Sequence, residues 1–209
     1  IIPHRKQVAQ MNKRGKLFVI SGPSGAGKST VVFKAMEGRE DYCFSTSVTT
    51  RKPRPGEVNG REYFFIDRDR FSEMVLRDEL LEYAEYVSNS YGTPRAYVEE
   101  QLDAGFDVIL DIEIQGARQV HEKMPEAVMI FIAPPTLEEL ERRLVNRGTD
   151  TAEAIRGRLA RARQEYAEAD FYSYIIVNGD ADTAAAEFAS IITAEHCRFG
   201  DRAEVLKIV

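Results

Sequence analysis

The sequence predicts an α/β fold in which helices flank a parallel sheet, with one inserted subdomain and a helical lid. Strand-like and helix-like segments alternate from Leu17 onward, and two arginine-rich regions interrupt the alternation. This alternation is typical of parallel sheets, because each parallel connection needs a crossover, usually a helix. The 209 residues, 44% of them hydrophobic and 30% charged, are enough for one such core with insertions.

The first predicted strand leads into a phosphate-binding loop. Leu17–Ser21 is an apolar, β-prone run, typical of a buried parallel strand. The next residues, Gly22-Pro23-Ser24-Gly25-Ala26-Gly27-Lys28-Ser29, match G-x-x-x-x-G-K-[ST] at every fixed position. Ser29–Met36 then reads as a helix, which is the arrangement of a P-loop NTPase-type sheet. Such a loop points backbone N–H groups at phosphates, with Lys28 on the β- and γ-phosphates and Ser29 on Mg²⁺. The chain is therefore predicted to bind a nucleoside triphosphate.

The remaining core elements follow in order. Strands are predicted at Tyr42–Val48, Phe106–Ile112, Ala127–Ile132 and Tyr174–Val177. Helices are predicted at Thr93–Ala104, Ile114–Lys123, Thr136–Asn146, Thr151–Glu168 and Asp182–His196. The strand that contains Val108-Ile109-Leu110-Asp111 resembles a Walker-B element, whose carboxylate lies near the nucleotide. Many buried strands end at Asp for structural reasons, so the phosphate loop is what favours the functional interpretation. Glu113, two residues on, would share a face with Asp111 on extended backbone.

Two regions interrupt the alternation. Residues 49–92 are interpreted as an inserted subdomain, with a basic turn-rich stretch at Thr50–Glu57, an alternating segment at Arg61–Ile66 and a helix at Arg70–Glu79. Residues 142–163 are interpreted as a mobile lid, rich in arginine around Gly148. A solvated helix pair with ordinary Glu/Arg spacing is the alternative for any single arginine there. The core is then 16–48, 93–141 and 164–209, and residues 1–15 form a flexible extension.

The inserted region indicates what receives the phosphoryl group. Arg51 and Arg54 lie beside prolines and suit a monophosphate clamp, because a guanidinium matches a phosphate with paired hydrogen bonds. Glu82 suits guanine, whose N1–H and amino group both donate to a carboxylate, whereas adenine has an acceptor at N1. The alternative is an exposed glutamate on a strand edge. The Asn-Lys-x-Asp motif with which GTPases read guanine is absent from the sequence.

Several longer blocks resemble the guanylate kinase family. They are Ile20–Thr30, Ser47–Glu57 with Asn59-Gly60, Ser90–Thr93, Ile112–Gly116, Phe131–Pro135 and Arg147–Thr149. The resemblance extends from about Lys16 to Glu195. It implies transfer of the γ-phosphoryl group of ATP to GMP, and also to dGMP, with Mg²⁺ required, as a step of purine nucleotide metabolism.

The resemblance also implies roles for individual residues. Lys28, Arg143, Arg147 and Arg158 would be catalytic. ATP would contact Gly22, Pro23, Ser24, Gly25, Ala26, Gly27, Lys28, Ser29, Thr30 and Asn178, the last near the adenine. GMP would contact Ser47, Arg51, Arg54, Glu57, Tyr63, Glu82, Tyr91, Gly92, Thr93, Asp111 and Glu113. Ser29 would bind Mg²⁺, with Asp111 as an indirect ligand. Many family members have Asp-Ile-Asp where this chain has Asp111-Ile112-Glu113, so Glu113 could shift a guanine or metal contact.

Composition argues against other classes of protein. The formal net charge of −6 disfavours a nucleic-acid polymer as partner. Cys43 and Cys197 cannot build a disulfide framework, which fits the reducing cytoplasm, and His4, His121 and His196 are too scattered for a zinc site. No apolar run is long enough to span a membrane. A homo-oligomer is compatible with the sequence.

Three alternatives to this interpretation stay open. A nucleoside monophosphate kinase for another base would keep both arginines but not the set of Glu82, Ser47 and Thr93. A guanylate-kinase-like binding module without catalysis commonly has a degraded phosphate loop, whereas this chain retains Lys28 and Ser29. A P-loop GTPase is disfavoured by the missing base-reading motif.

Overall fold

The structure, a computed structural model, describes residues 14–203 apart from Val87 and Thr149. The strands are β1 (Leu17–Ser21), β2 (Tyr42–Phe44), β3 (Val48–Thr49), β4 (Phe64–Phe65), β5 (Leu80–Tyr86), β6 (Asn89–Pro94), β7 (Asp107–Asp111), β8 (Val128–Ala133) and β9 (Tyr174–Val177). The helices are α1 (Lys28–Met36), α2 (Arg68–Leu76), α3 (Arg95–Asp103), α4 (Ile114–Lys123), α5 (Leu137–Asn146), α6 (Ala152–Ala167), α7 (Ala181–Glu195) and α8 (Phe199–Arg202), with a 3₁₀ turn at Ala169–Phe171. The predicted extension lies outside the described residues except for its last two positions.

The core is a five-stranded parallel sheet in the order β2-β7-β1-β8-β9. Alternate residues of β1 enter different hydrophobic clusters: Phe18 and Ile20 pack with α1 and α7, and Leu17 and Val19 with α3 and α4. Burial on both faces explains why the central strands β1 and β8 are continuous apolar runs. Because all five strands run in one direction, their carboxyl ends meet at one edge, where α/β proteins bind ligands. The predicted fold is confirmed.

A second, four-stranded sheet has the order β4-β3-β6-β5. It spans residues 48–94 and therefore includes most of the segment predicted as an inserted subdomain. The single strand predicted at Tyr42–Val48 is wrong, because its two ends belong to different sheets. The Ser45 N–H donates to the Ile109 carbonyl in the core, whereas the Ser47 carbonyl accepts from Phe64 in the second sheet. The chain thus leaves the core between these two residues.

Other predicted boundaries in this region are also wrong. The helix predicted at Arg70–Glu79 begins earlier, because Asp67 caps it, and ends at Leu76, before Asp78 with its φ of 52°. The helix predicted from Thr93 begins at Arg95, because Thr93 and Pro94 pair with β5. The alternating segment at Arg61–Ile66 is reduced to the two residues of β4. β5, β6 and α8 were not predicted.

The helices α5 and α6 pack against each other around a small core of their own. Leu140 and Leu144 of α5 contact Ile155, Leu159 and Ala162 of α6. Both helices start one residue after the predicted position, because Thr136 and Thr151 are caps whose side chains accept from the N–H groups of Glu139 and Ala154. The other core elements agree with prediction to within about one residue at each end. Within the described ranges, no helix is both long and apolar enough to cross a bilayer.

Candidate active site

The phosphate loop lies against the carboxyl edge of the core sheet, and close backbone contacts determine its shape. Gly22 has a φ of 146°, and a Cβ there would lie 2.0 Å from the carbonyl oxygen of Ile132. Gly27 has a φ of 85°, and a Cβ there would lie 2.5 Å from the Asn178 side-chain nitrogen. Neither position has room for a side chain, so the two outer glycines of the motif are required by packing as well as by conformation.

A cavity of about 780 Å³ opens over this loop. Of the predicted residues, the structure brings to its walls Gly22, Ser24, Gly25, Gly27, Lys28, Ser29, Thr30, Asp111, Glu113, Arg143, Arg147 and Arg158. Pro23 and Ala26 are buried within the loop. Ile112, Arg161 and Glu165 also line the cavity and were not predicted. Arg161 belongs to the arginine-rich segment, and Glu165 lies one helical turn after Arg161. Membership of that segment is the sequence feature that could have pointed to these two residues.

The charges in the cavity are mainly positive. The Lys28 ammonium donates to the Gly22 carbonyl at 2.8 Å and lies 3.8 Å from a carboxylate oxygen of Asp111. Burial raises the pKa of Asp111, and the neighbouring lysine opposes that shift. With the four arginines of α5, α6 and the turn between them, this arrangement suits a polyanion. The described residues contain no group of three or more His, Cys, Asp or Glu side chains that could hold a metal by themselves.

The arginines of α5 and α6 connect these helices to both sides of the cavity. Arg143 donates to Glu139 and to the carbonyl of Asn178, each at 2.8 Å. Arg158 donates to the Ser24 hydroxyl of the phosphate loop and, at 3.2 Å, to Asp150. The exposed Arg147 follows the end of α5 at the cavity wall. The pair α5–α6, which includes the helical part of the predicted lid, is therefore in contact with the phosphate loop.

Arg161 makes the contact on the opposite side of the cavity. It donates to Glu113 at 2.5 Å and to Glu165 at 3.2 Å. Glu113 is the N-cap residue of α4, so this ion pair joins α6 to the start of α4. The glutamate side chain, one methylene longer than the aspartate that the resemblance would place here, binds an arginine. The predicted contact of Glu113 with guanine stays a prediction.

Asn178 lies behind the phosphate loop. It is 4% exposed, and its side-chain amide donates to the carbonyl of Ala26 at 2.7 Å. Its own N–H donates to Ala133 of β8, also at 2.7 Å. The residue therefore ties the loop to the sheet edge, a role that the sequence did not suggest. The predicted contact with adenine stays a prediction.

Under the ATP-binding role that the resemblance implies for the loop, we expect Asn178→Asp to weaken ATP binding about tenfold, because a carboxylate would replace the donor and face the Ala26 carbonyl. A tenfold change corresponds to about 1.4 kcal/mol, within the cost of leaving a buried acceptor unpaired. Calorimetric titration with a non-hydrolysable ATP analogue measures it. GMP affinity serves as the control and should change less than about twofold; an unchanged ATP affinity would contradict the role of Asn178.

Glu82 and Thr93 form a buried pair on the second sheet. They face each other across β5 and β6, and the Thr93 hydroxyl donates to a Glu82 carboxylate oxygen at 2.6 Å. Glu82 is 7% exposed and Thr93 is fully buried. Burial raises the pKa of Glu82, and the bond from Thr93 and the charge of Lys123 oppose the shift. The alternative of an exposed glutamate is therefore wrong.

The basic loop of the second sheet is held by Glu57. Its carboxylate binds the Arg51 guanidinium with two bonds of 2.9 and 3.0 Å and accepts from the Arg54 N–H at 2.6 Å. The Arg51 guanidinium also lies 5.4 Å from the ring centre of Tyr63, which is 5.9 Å from that of Tyr91. The predicted residues Arg51, Glu57, Tyr63 and Tyr91 thus form one cluster, and Arg54 is exposed beside it.

The comparisons with known proteins agree with this geometry. A family model described as guanylate kinase matches residues 14–195. A guanylate kinase of Lactococcus lactis is 53% identical over 188 residues, covering 90% of this chain and 92% of the relative. A guanylate kinase of Thermus thermophilus is 51% identical over 195 residues, covering 93% of this chain and 88% of the relative. The crystal structure of guanylate kinase from Anaplasma phagocytophilum superposes with a TM-score of 0.66 at 36% identity, covering 89% of this chain and 88% of that one.

Proposed function

The chain belongs to the guanylate kinase family, and from this premise we propose which of its residues serve each substrate. Its activity is that of an ATP:GMP phosphotransferase, which moves the γ-phosphoryl group of ATP to GMP. One observation carries the assignment of the site. The cavity over an intact phosphate loop is lined by Lys28 and four arginines, as a polyphosphate requires.

ATP is proposed to bind in this cavity. Its β- and γ-phosphates would lie against the loop backbone and the amino end of α1, with Lys28 leaving the Gly22 carbonyl to reach them. Arg143, Arg147 and Arg158 would neutralise charge on the transferring group. Arg143 is already bound to the Asn178 carbonyl at the loop, so little reorganisation is needed to orient it.

Mg²⁺ is proposed to accompany ATP. The available donors fit a hard cation, because the Ser29 hydroxyl and the Asp111 carboxylate both line the cavity with oxygen atoms. Ser29 would bind the ion directly and Asp111 would hold one of its waters. When bound, Mg²⁺ supplies positive charge to the phosphate oxygens during transfer.

GMP is proposed to bind at the second sheet. The carboxylate of Glu82 would accept from guanine N1–H and the amino group, with Thr93 holding the carboxylate from its other side. The GMP phosphate would bind Arg51, Arg54, Tyr63 and Tyr91. Glu57 supports this clamp, because it holds both Arg51 and the backbone beside Arg54 in place. Ser47 and Gly92 would also contact GMP, on the side of its guanine base.

The chemistry needs positioning more than proton transfer. The phosphate of the acceptor GMP has a second pKa of about 6, so it is already largely ionised at neutral pH and no general base is required. GMP would draw residues 49–92 towards the core, and ATP would bring residues 142–163 over the phosphates, excluding water. The free thiols of Cys43 and Cys197 suit the reducing cytoplasm, where we place the reaction.

An acceptor panel tests the proposed function. Release of ADP is measured with ATP and Mg²⁺ against GMP, dGMP, AMP, CMP, UMP and dTMP. We expect fast turnover with GMP and dGMP alone, lost when Mg²⁺ is chelated. Turnover with another base would overturn the role of Glu82, whereas binding of GMP without turnover with any acceptor would indicate a non-catalytic module.

A further inference from the structure

Helix α4 of the core supports the strand that carries Glu82. Gly116, Gln119 and Lys123 lie three and four residues apart, so they occupy one face of the helix. Each of them contacts β5 or the residues next to it. The strand that carries the base-reading carboxylate therefore rests on a helix of the other sheet.

Gly116 lies next to the Glu82 carboxylate. A Cβ on Gly116 would lie 2.9 Å from the Glu82 Oε2 atom, 3.4 Å from Cδ and 3.5 Å from Cγ. Gly116 has ordinary helical backbone, and glycine inside a helix is normally unfavourable. Its backbone conformation does not require glycine, so the contact with the carboxylate is the constraint that explains it.

Two further contacts prevent β5 from moving away from α4. The Gln119 side chain pairs with the backbone of Tyr83, accepting from its N–H and donating to its carbonyl, each at 3.1 Å. The Lys123 ammonium donates to the Leu80 carbonyl at 2.7 Å and to Asp78 at 2.6 Å. These bonds hold the strand on both sides of Glu82. If Gly116 gained a side chain, the strand could not easily retreat, and the end of the flexible Glu82 side chain would shift instead.

We propose that Gly116 is a positioning residue for guanine selectivity, because the space left by its missing side chain sets where the Glu82 carboxylate lies. The proposal rests on the proposed role of Glu82 in reading guanine. Gly116 is not among the residues proposed to contact a nucleotide, and its effect is exerted through Glu82. Gln119 and Lys123 maintain the distance between helix and strand on which this effect depends.

Gly116→Ala tests the proposal. We expect the KM for GMP to rise at least about tenfold, with a smaller change in kcat, an unchanged affinity for an ATP analogue, and a thermal midpoint that is equal or higher because alanine favours helix. A matched control is Gly200→Ala in α8, where nothing lies within 4 Å of the added Cβ. That variant should leave the KM for GMP unchanged. An unchanged KM in Gly116→Ala would overturn the proposal.

A second variant separates positioning from a general packing defect. Glu82→Asp withdraws the carboxylate by one methylene. Gly116→Ala should therefore weaken GMP binding by a clearly smaller factor in the Glu82→Asp variant than in the parent chain. Full additivity of the two changes would contradict the proposal. Glu82→Gln distinguishes the two levels of inference. If it leaves base preference unchanged, the proposed role of Glu82 fails. If it abolishes the preference while Gly116→Ala leaves the KM for GMP unchanged, the role of Gly116 alone fails.

Discussion

Lys28→Met is expected to lower kcat about a thousandfold while GMP still binds with nearly its original affinity. Lys28 is the first residue of α1, and its ammonium already lies over the phosphate loop, 2.8 Å from the Gly22 carbonyl. Methionine keeps most of the side-chain volume but removes the charge that would meet the β- and γ-phosphates. Steady-state kinetics and calorimetry with GMP measure the two effects separately.

Lys34→Met is the matched control on the same helix. Lys34 is an exposed residue of α1 whose ammonium binds Asp182 of α7, away from the cavity. The control should turn over at close to the rate of the parent chain, since an exposed ion pair contributes little to stability. Near-normal turnover by Lys28→Met would refute the assigned role of Lys28. Loss of GMP binding in that variant would indicate damage to the fold.

Glu82→Gln is expected to lower kcat/KM for GMP about a hundredfold, which corresponds to roughly 2.7 kcal/mol, and to leave ATP affinity almost unchanged. The amide keeps one acceptor but places an N–H donor against the donors of guanine. The Thr93 hydroxyl donates to one carboxylate oxygen, and an amide whose oxygen keeps that bond turns its NH₂ group towards the base. Kinetics with GMP and AMP as acceptors measure the selectivity, and the exposed Glu85→Gln on the same strand is the control.

Glu82→Gln is expected to stabilise the fold although it lowers activity with GMP. Burial raises the pKa of Glu82, so the folded protein disfavours the charged carboxylate. For a raised pKa, the stabilising contribution is complete below the unfolded pKa and is lost as pH rises through the folded one. Glu82→Gln should therefore increase the free energy of unfolding at neutral pH, with a gain that shrinks on acidification. Urea denaturation at several pH values measures it; a loss of stability at neutral pH would contradict the argument.

GMP binding should follow the opposite pH dependence. Because the carboxylate that we propose to read the base must be ionised, the affinity for GMP is expected to fall as pH drops through the raised pKa of Glu82. The affinity of Glu82→Gln should lack this component. Calorimetric titration with GMP over the same pH series supplies both curves.

The core and the phosphate loop could be predicted because their signals are local. Buried parallel strands appear as uninterrupted apolar runs, and the spacing of the loop's glycines, lysine and serine is contained in eight consecutive residues after β1. The predicted helix Ile114–Lys123 and strand Tyr174–Val177 agree with the structure at both ends.

The second sheet could not be predicted in the same way. Two of its strands have only two residues, and β6 contains Asn89, Gly92 and Pro94, which are typical of turns. Their pairing depends on partners far along the chain, such as Val48 with Gly92. Local propensity therefore carries little information there.

The same reason explains which site residues were missed. Arg161 and Glu165 reach the cavity only because α6 packs on α5 beside the phosphate loop, a tertiary contact without a sequence motif. The support that Glu57 gives to Arg51 is also visible only in the folded loop.

The position of α4 has a thermodynamic consequence for how the substrates affect each other. Its N-cap residue Glu113 is bonded to Arg161 of α6, and one face of the helix holds the strand that carries Glu82. A single rigid element thus contacts the elements proposed for both nucleotides. If GMP shifts α4 towards the arrangement that ATP prefers, ATP must by linkage tighten GMP binding by the same factor. A change that cuts the bond between Arg161 and Glu113 would weaken both effects equally.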